Sequence, residues 1–154
     1  MTPVRPSWVL GAQVIVNLVI AMMATAVIIG GAVLFFRVPF PGQAFGFLLA
    51  LLLAIAALFA IGLLICAVAP LPQVAAVIGS VLLYSLLFFA GMWGTRQAMS
   101  PLLQTIGDHT PLGAAASAMQ DAMVGNWPTI RALLVTTAYA VVFTIAAIRF
   151  FRWE

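Results

Sequence analysis

Of 154 residues, 66% are hydrophobic and only 6% are charged, with a mean hydropathy of +1.25. A soluble domain carries about a quarter charged residues, so this chain has too few to cover a surface facing water. The net charge of +3 comes from scattered arginines beside apolar runs, which suits lipid headgroups and makes no basic patch for nucleic acid. In lipid the backbone must satisfy its own hydrogen bonds, as helices or as a closed barrel. Barrel strands alternate apolar and polar residues over about ten positions. The apolar runs here are continuous and longer, so the composition predicts an all-α integral membrane protein, a single transmembrane domain over residues 1–154.

In chain order, the first span is expected at about 8–36, between Arg5 and Arg37. It is too long for a signal-peptide core, and no small-residue cleavage site follows it. Gln13, Asn17, Ala21 and Thr25 recur along it at helical spacing as a small and polar stripe. Such a stripe either packs against another helix, with amides bonding across the contact, or lines a substrate path. Packing is the commoner use. The turn Val38-Pro39-Phe40-Pro41-Gly42 leads to a second span at 45–68, with Ala50, Ala54 and Ala57 as packing positions. Cys66 sits inside it as a small hydrophobe, and a lone cysteine allows neither an intrachain disulfide nor a cysteine metal cluster. After Ala69-Pro70-Leu71-Pro72 comes a third span at 73–93 carrying Ser80, Tyr84 and Ser85.

Residues 94–128 are too polar to span and too patterned to be featureless. Ser100-Pro101 and Thr110-Pro111 each read as an N-cap followed by proline at the first helical position. They predict two short interfacial or re-entrant helices, about 101–106 and 111–124, with Gly107 and Gly125 at their ends. On the second, Leu112, Ala115, Ala116, Met119 and Met123 form an apolar stripe opposite Ser117, Gln120 and Asp121. Trp127 is expected as an interfacial anchor. A fourth span at about 130–150 has 17 uncharged residues between Arg131 and Arg149. An even number of spans puts both termini on one side. Arg5, Arg149 and Arg152 then oppose Arg37, Arg96 and Arg131, a tie that the positive-inside rule does not break. The pair Arg149 and Arg152 leans toward cytoplasmic termini.

Reactive groups are sparse: one His, one Cys and three acids, none of the acids inside a span. Asp108-His109 reads as a solvated turn between short helices, and nothing in the sequence brings Asp108 and Asp121 together as a carboxylate pair. No catalytic residue and no metal site are expected. The chain has no GxxxxGK[ST] phosphate loop and therefore no means of its own to hydrolyse ATP.

Thr2-Pro3-Val4-Arg5 before a long first span, Phe88-Phe89-Ala90-Gly91 closing the third, Pro101-Leu102-Leu103-Gln104-Thr105-Ile106 followed by Pro111-Leu112, and the ending Arg149-Phe150-Phe151-Arg152-Trp153-Glu154 occur in an order that resembles the type-2 ABC transporter permeases. These are the membrane-spanning subunits of drug, polysaccharide and related exporters. That family usually has six spans, so the resemblance implies its C-terminal portion, from a truncated or split frame. It further implies a permease subunit of an ATP-driven exporter for a hydrophobic drug, lipid or glycan. Its partners would be a separate ABC ATPase subunit that uses ATP and Mg, a second permease copy and the lipid bilayer. No nucleic acid is implied, and the chain itself would bind no cofactor. Contact with the ATPase subunit would fall on Thr2, Pro3, Val4 and Arg5, with Ala69 to Pro72 a second cytoplasmic turn. From their polarity within spans, Gln13, Asn17, Thr25, Tyr84 and Ser85 are the candidates for lining such a path, beside a packing role. The alternative from the residues alone is a non-catalytic four-helix membrane scaffold or assembly factor.

Overall fold

A computed structural model describes residues 6–93 and 98–150 of the chain. Every regular element among them is a helix, and four of the six are long and apolar enough to cross a membrane. They fall into two compact units, divided in sequence between Phe40 and Pro41. The first is a single helix, α1 (Pro6–Phe36). Arg37 follows it with φ 52°, in the left-handed region, and the Val38 N–H returns to the Ala32 carbonyl at 3.2 Å.

The second unit holds α2 (Ala44–Val68), α3 (Pro72–Phe89), α4 (Pro101–Asp108), α5 (Pro111–Met123) and α6 (Ile130–Phe150). At 1.5 Å per residue, α2 is roughly 37 Å long, α3 roughly 27 Å and α6 roughly 31 Å, around the ~30 Å of a hydrocarbon core. Proline opens α3, α4 and α5 at the first turn. There its missing N–H costs nothing, because that donor has no helical partner anyway.

The third span is shorter than the apolar run that encodes it, because residues 90–93 turn instead of continuing the helix. Gly91 adopts φ 83°, its N–H bonds to the Phe88 carbonyl at 3.1 Å, and the Met92 N–H reaches the Leu87 carbonyl at 3.2 Å. This is a Schellman cap, in which a left-handed residue lets the chain close the open carbonyls of the last turn. The same cap ends α5. Gly125 has φ 93°, with Gly125 N–H to Ala122 O at 3.3 Å and Asn126 N–H to Asp121 O at 2.9 Å.

The core is built from alanine. Ala50, Ala54, Ala57 and Ala60 of α2 are buried, as are Ala114, Ala115, Ala118 and Ala122 of α5 and Ala132 and Ala147 of α6. In lipid there is little hydrophobic gain from bringing helices together, so close approach of small residues and the dispersion contacts it permits hold the bundle. α2 and α6 run parallel, since Gly46 near the start of α2 packs against Pro128, just before α6. α5 runs antiparallel to α2. The Gln43 N–H bonds to the Ala122 carbonyl at 3.0 Å, while Ala114 and Ala118 cluster with Ala50 further down.

The α4–α5 hairpin therefore packs among α2, α3 and α6. Gly107, expected as a terminator, lies inside α4 and is buried. A Cβ there would stand 2.7 Å from the Phe89 carbonyl oxygen, so only glycine lets α4 meet the end of α3 this closely. The buried face of α5 is also not centred on its larger apolar residues. Leu112, Ala116, Met119 and Met123 are half-buried, while Pro111, Gly113, Ala114, Ala115, Ala118 and Ala122 face inward. Small side chains take the tight contact and larger ones fill its margins.

Candidate functional site

A set of polar side chains of the second unit gathers where the hairpin meets the start of α6. A cleft of about 400 Å³ there is lined by Gln104 and Asp108 from α4, by Ser117, Gln120 and Asp121 from α5, and by Thr129, Arg131 and Ala132. Each wall has a local cause. Ser100 caps α4, its hydroxyl accepting from the Leu103 N–H at 3.4 Å, and Gln104 one turn on donates to the Met99 carbonyl at 2.9 Å. Thr110 links the two short helices. Its hydroxyl donates to the Gly107 carbonyl at 2.7 Å and accepts from the Gly113 N–H at 3.1 Å. That satisfies one orphan donor of α5 and fixes the angle of the hairpin.

Asp121 ties α5 to the approach of α6. Its Oδ2 accepts from the Thr129 hydroxyl at 2.8 Å and from the Thr129 N–H at 3.3 Å. His109, the residue that caps α4, bonds to Arg131, one of the residues that line the cleft. Its Nδ1 lies 2.7 Å from the Thr105 carbonyl oxygen, and its Nε2 lies 2.9 Å from Nη2 of Arg131.

The structure thus brings Asp108 and Asp121 to one cleft, although their separation in sequence gives no reason to join them. The polar face of Ser117, Gln120 and Asp121 is readable from helical spacing. Its meeting with α4 and α6 depends on the hairpin, which periodicity alone does not describe. His109 is exposed in the turn between the short helices and bonds to Arg131 of α6, while Asp108 lines the cleft. Chemically the site offers carboxylates, carboxamides, hydroxyls and one guanidinium, a set that binds and orients polar groups. Among the described residues no three His, Cys, Asp or Glu side chains come together as metal ligands.

The path-lining candidates fall in different units. On α1, the Thr25 hydroxyl donates to the Ala21 carbonyl one turn back at 2.8 Å. Asn17 is half-buried, and the Gln13 side chain lies outside the described atoms. On α3, the exposed Ser85 hydroxyl donates to the Val81 carbonyl at 2.8 Å. Tyr84 is exposed, with its ring 6.5 Å from that of Trp93. Thr25 and Ser85 thus present satisfied hydroxyls, which a helix in lipid tolerates without a second partner. Thr2, Pro3, Val4 and Arg5 lie outside the described residues.

Neither a curated protein nor a solved structure matches the chain. A family model does. The description ABC-2 type transporter fits residues 1–124, which take in α1 to α5. With four apolar spans and a match over well more than half its length, the chain belongs to the ABC-2 type transporter family, as a multi-pass membrane permease component and not a catalytic one.

Proposed function

We propose that the chain is the permease subunit of an ATP-driven ABC exporter, moving a hydrophobic drug, lipid or glycan along a path formed with a second permease copy. The family match over residues 1–124 carries this reading. The absence of a GxxxxGK[ST] loop from the sequence supports it, because the energy must then come from elsewhere. ATP and Mg are used by a separate ATPase subunit, and this chain binds no cofactor. Thr2, Pro3, Val4 and Arg5 contact that subunit, with the turn Ala69 to Pro72 beside them. Both termini are cytoplasmic, so the α4–α5 hairpin and its polar cleft close the opposite, outer end. Gln13, Asn17, Thr25, Tyr84 and Ser85 line the path. Their sparse hydroxyls and amides in an apolar setting suit a cargo of low charge.

Association is the direct test. The tagged chain, expressed with the ATPase genes of its own source and extracted in mild detergent, is expected to retain an ATP-hydrolysing subunit through purification. Deleting Thr2 to Arg5 is expected to lose most of it. A chain that folds and recovers no such subunit would favour the four-helix scaffold or assembly factor instead.

A further inference from the structure

The tautomer of His109 is fixed by its two partners. The Thr105 carbonyl oxygen can only accept, so Nδ1, at 2.7 Å, carries the proton. The Arg131 guanidinium can only donate, so Nε2, at 2.9 Å, must present its lone pair. The ring is therefore neutral in this arrangement, and it joins the end of α4 to the second residue of α6. Among the described residues, the other charged groups that line the same cleft as Arg131 are Asp108 on α4 and Asp121 on α5. α3, which also packs against the hairpin, has no charged residue.

We infer that the His109–Arg131 bond is a proton-responsive latch between the α4–α5 hairpin and α6. A proton on Nε2 sets donor against donor and cation against cation, so the bond breaks. The side-chain bond from the cap of α4 to Arg131 of α6 is then lost. The latch depends on these two bonds and their surroundings, not on the identity of cargo or ATPase.

The chain contains one histidine, so its imidazole nitrogen spectrum has a single source. In lipid nanodiscs near about pH 8, the full chain is expected to show the neutral Nδ1–H form, and Arg131→Met to lose that preference. For the opening itself, spin labels on Ile106→Cys and Leu134→Cys in a Cys66→Ser background report the distance from α4 to α6. Acidification to about pH 5 is expected to shift that distribution, whereas His109→Gln, whose amide oxygen accepts from Arg131 without titrating, is expected to hold it fixed. An Nε2–H tautomer in the unmutated chain overturns the latch. So does an unchanged distance on acidification, or an equal shift in the His109→Gln chain. If a labelled or substituted chain fails to fold, the tautomer of the unmutated chain still decides.

Discussion

Gly113→Ala is expected to destabilise the protein by about 3 kcal/mol, the upper part of the range for overpacking a tight contact. A Cβ at this position would overlap the Gly107 carbonyl oxygen and come within 2.8 Å of the Thr110 hydroxyl. That carbonyl cannot step aside cheaply. It accepts from both the Thr110 N–H, at 2.9 Å, and the Thr110 hydroxyl, at 2.7 Å. The strain therefore passes into the junction that sets the angle between α4 and α5. An internal control separates this effect from helix propensity: a Cβ added at Gly62, within α2, would meet nothing within 4 Å. Gly62→Ala is expected to be neutral or stabilising by about 0.5 kcal/mol. Detergent-denaturation midpoints should thus move in opposite directions, or at least unequally, for one and the same chemical change. Equal small effects would mean that the hairpin is not packed as described.

Ala57→Leu is the second large effect, expected at about 2 kcal/mol. Ala57 is 0% exposed in the middle of α2, where the small-residue face lets neighbouring backbones approach closely. Three added carbons have no space, so a neighbouring helix must move away or the new side chain must leave its preferred rotamers. Phe45→Leu at the 81% exposed start of α2 is the comparison, since it alters only surface. Denaturation midpoints again give the readout, and an Ala57→Leu chain as stable as the original would contradict the alanine-built core.

These two positions show which parts of the fold can be read directly. The four spans follow from uninterrupted apolar length, because lipid leaves the backbone no alternative to helix. The starts of α4 and α5 follow from Ser100-Pro101 and Thr110-Pro111, whose capping chemistry is local. Gly91 is harder. Inside an apolar run, a glycine that continues a helix and one that caps it look the same until φ is known. Gly107 misleads for the complementary reason, because a glycine needed for close approach resembles a terminator when its neighbour, Phe89, is distant in sequence. The face of α5 departs from its apolar stripe because hydrophobic size and burial part company where alanine contacts set the spacing.

The candidate site divides along the same line. Ser117, Gln120 and Asp121 share a helix face by spacing, but their cleft exists only once the hairpin returns Gln104 and Asp108 to them and Arg131 meets His109. No one-dimensional pattern encodes a bond across 22 residues. Tyr84 and Ser85 are identifiable as polar groups in a span, and their placement on an exposed face of α3 leaves a path-facing role available to them.

If a separate ATPase drives this membrane component between two states, the surroundings of a path-facing side chain must change with the ATP cycle. The most direct measurement is the reaction of Ser85→Cys, in a Cys66→Ser background, with a membrane-impermeant maleimide, using the purified complex with its ATPase subunit in liposomes. Adding ATP and Mg is expected to change the labelling rate severalfold, and a hydrolysis-deficient ATPase subunit is expected to hold the changed rate. Labelling that is the same with and without ATP and Mg, in a complex that demonstrably hydrolyses ATP, would contradict an ATPase-driven switch.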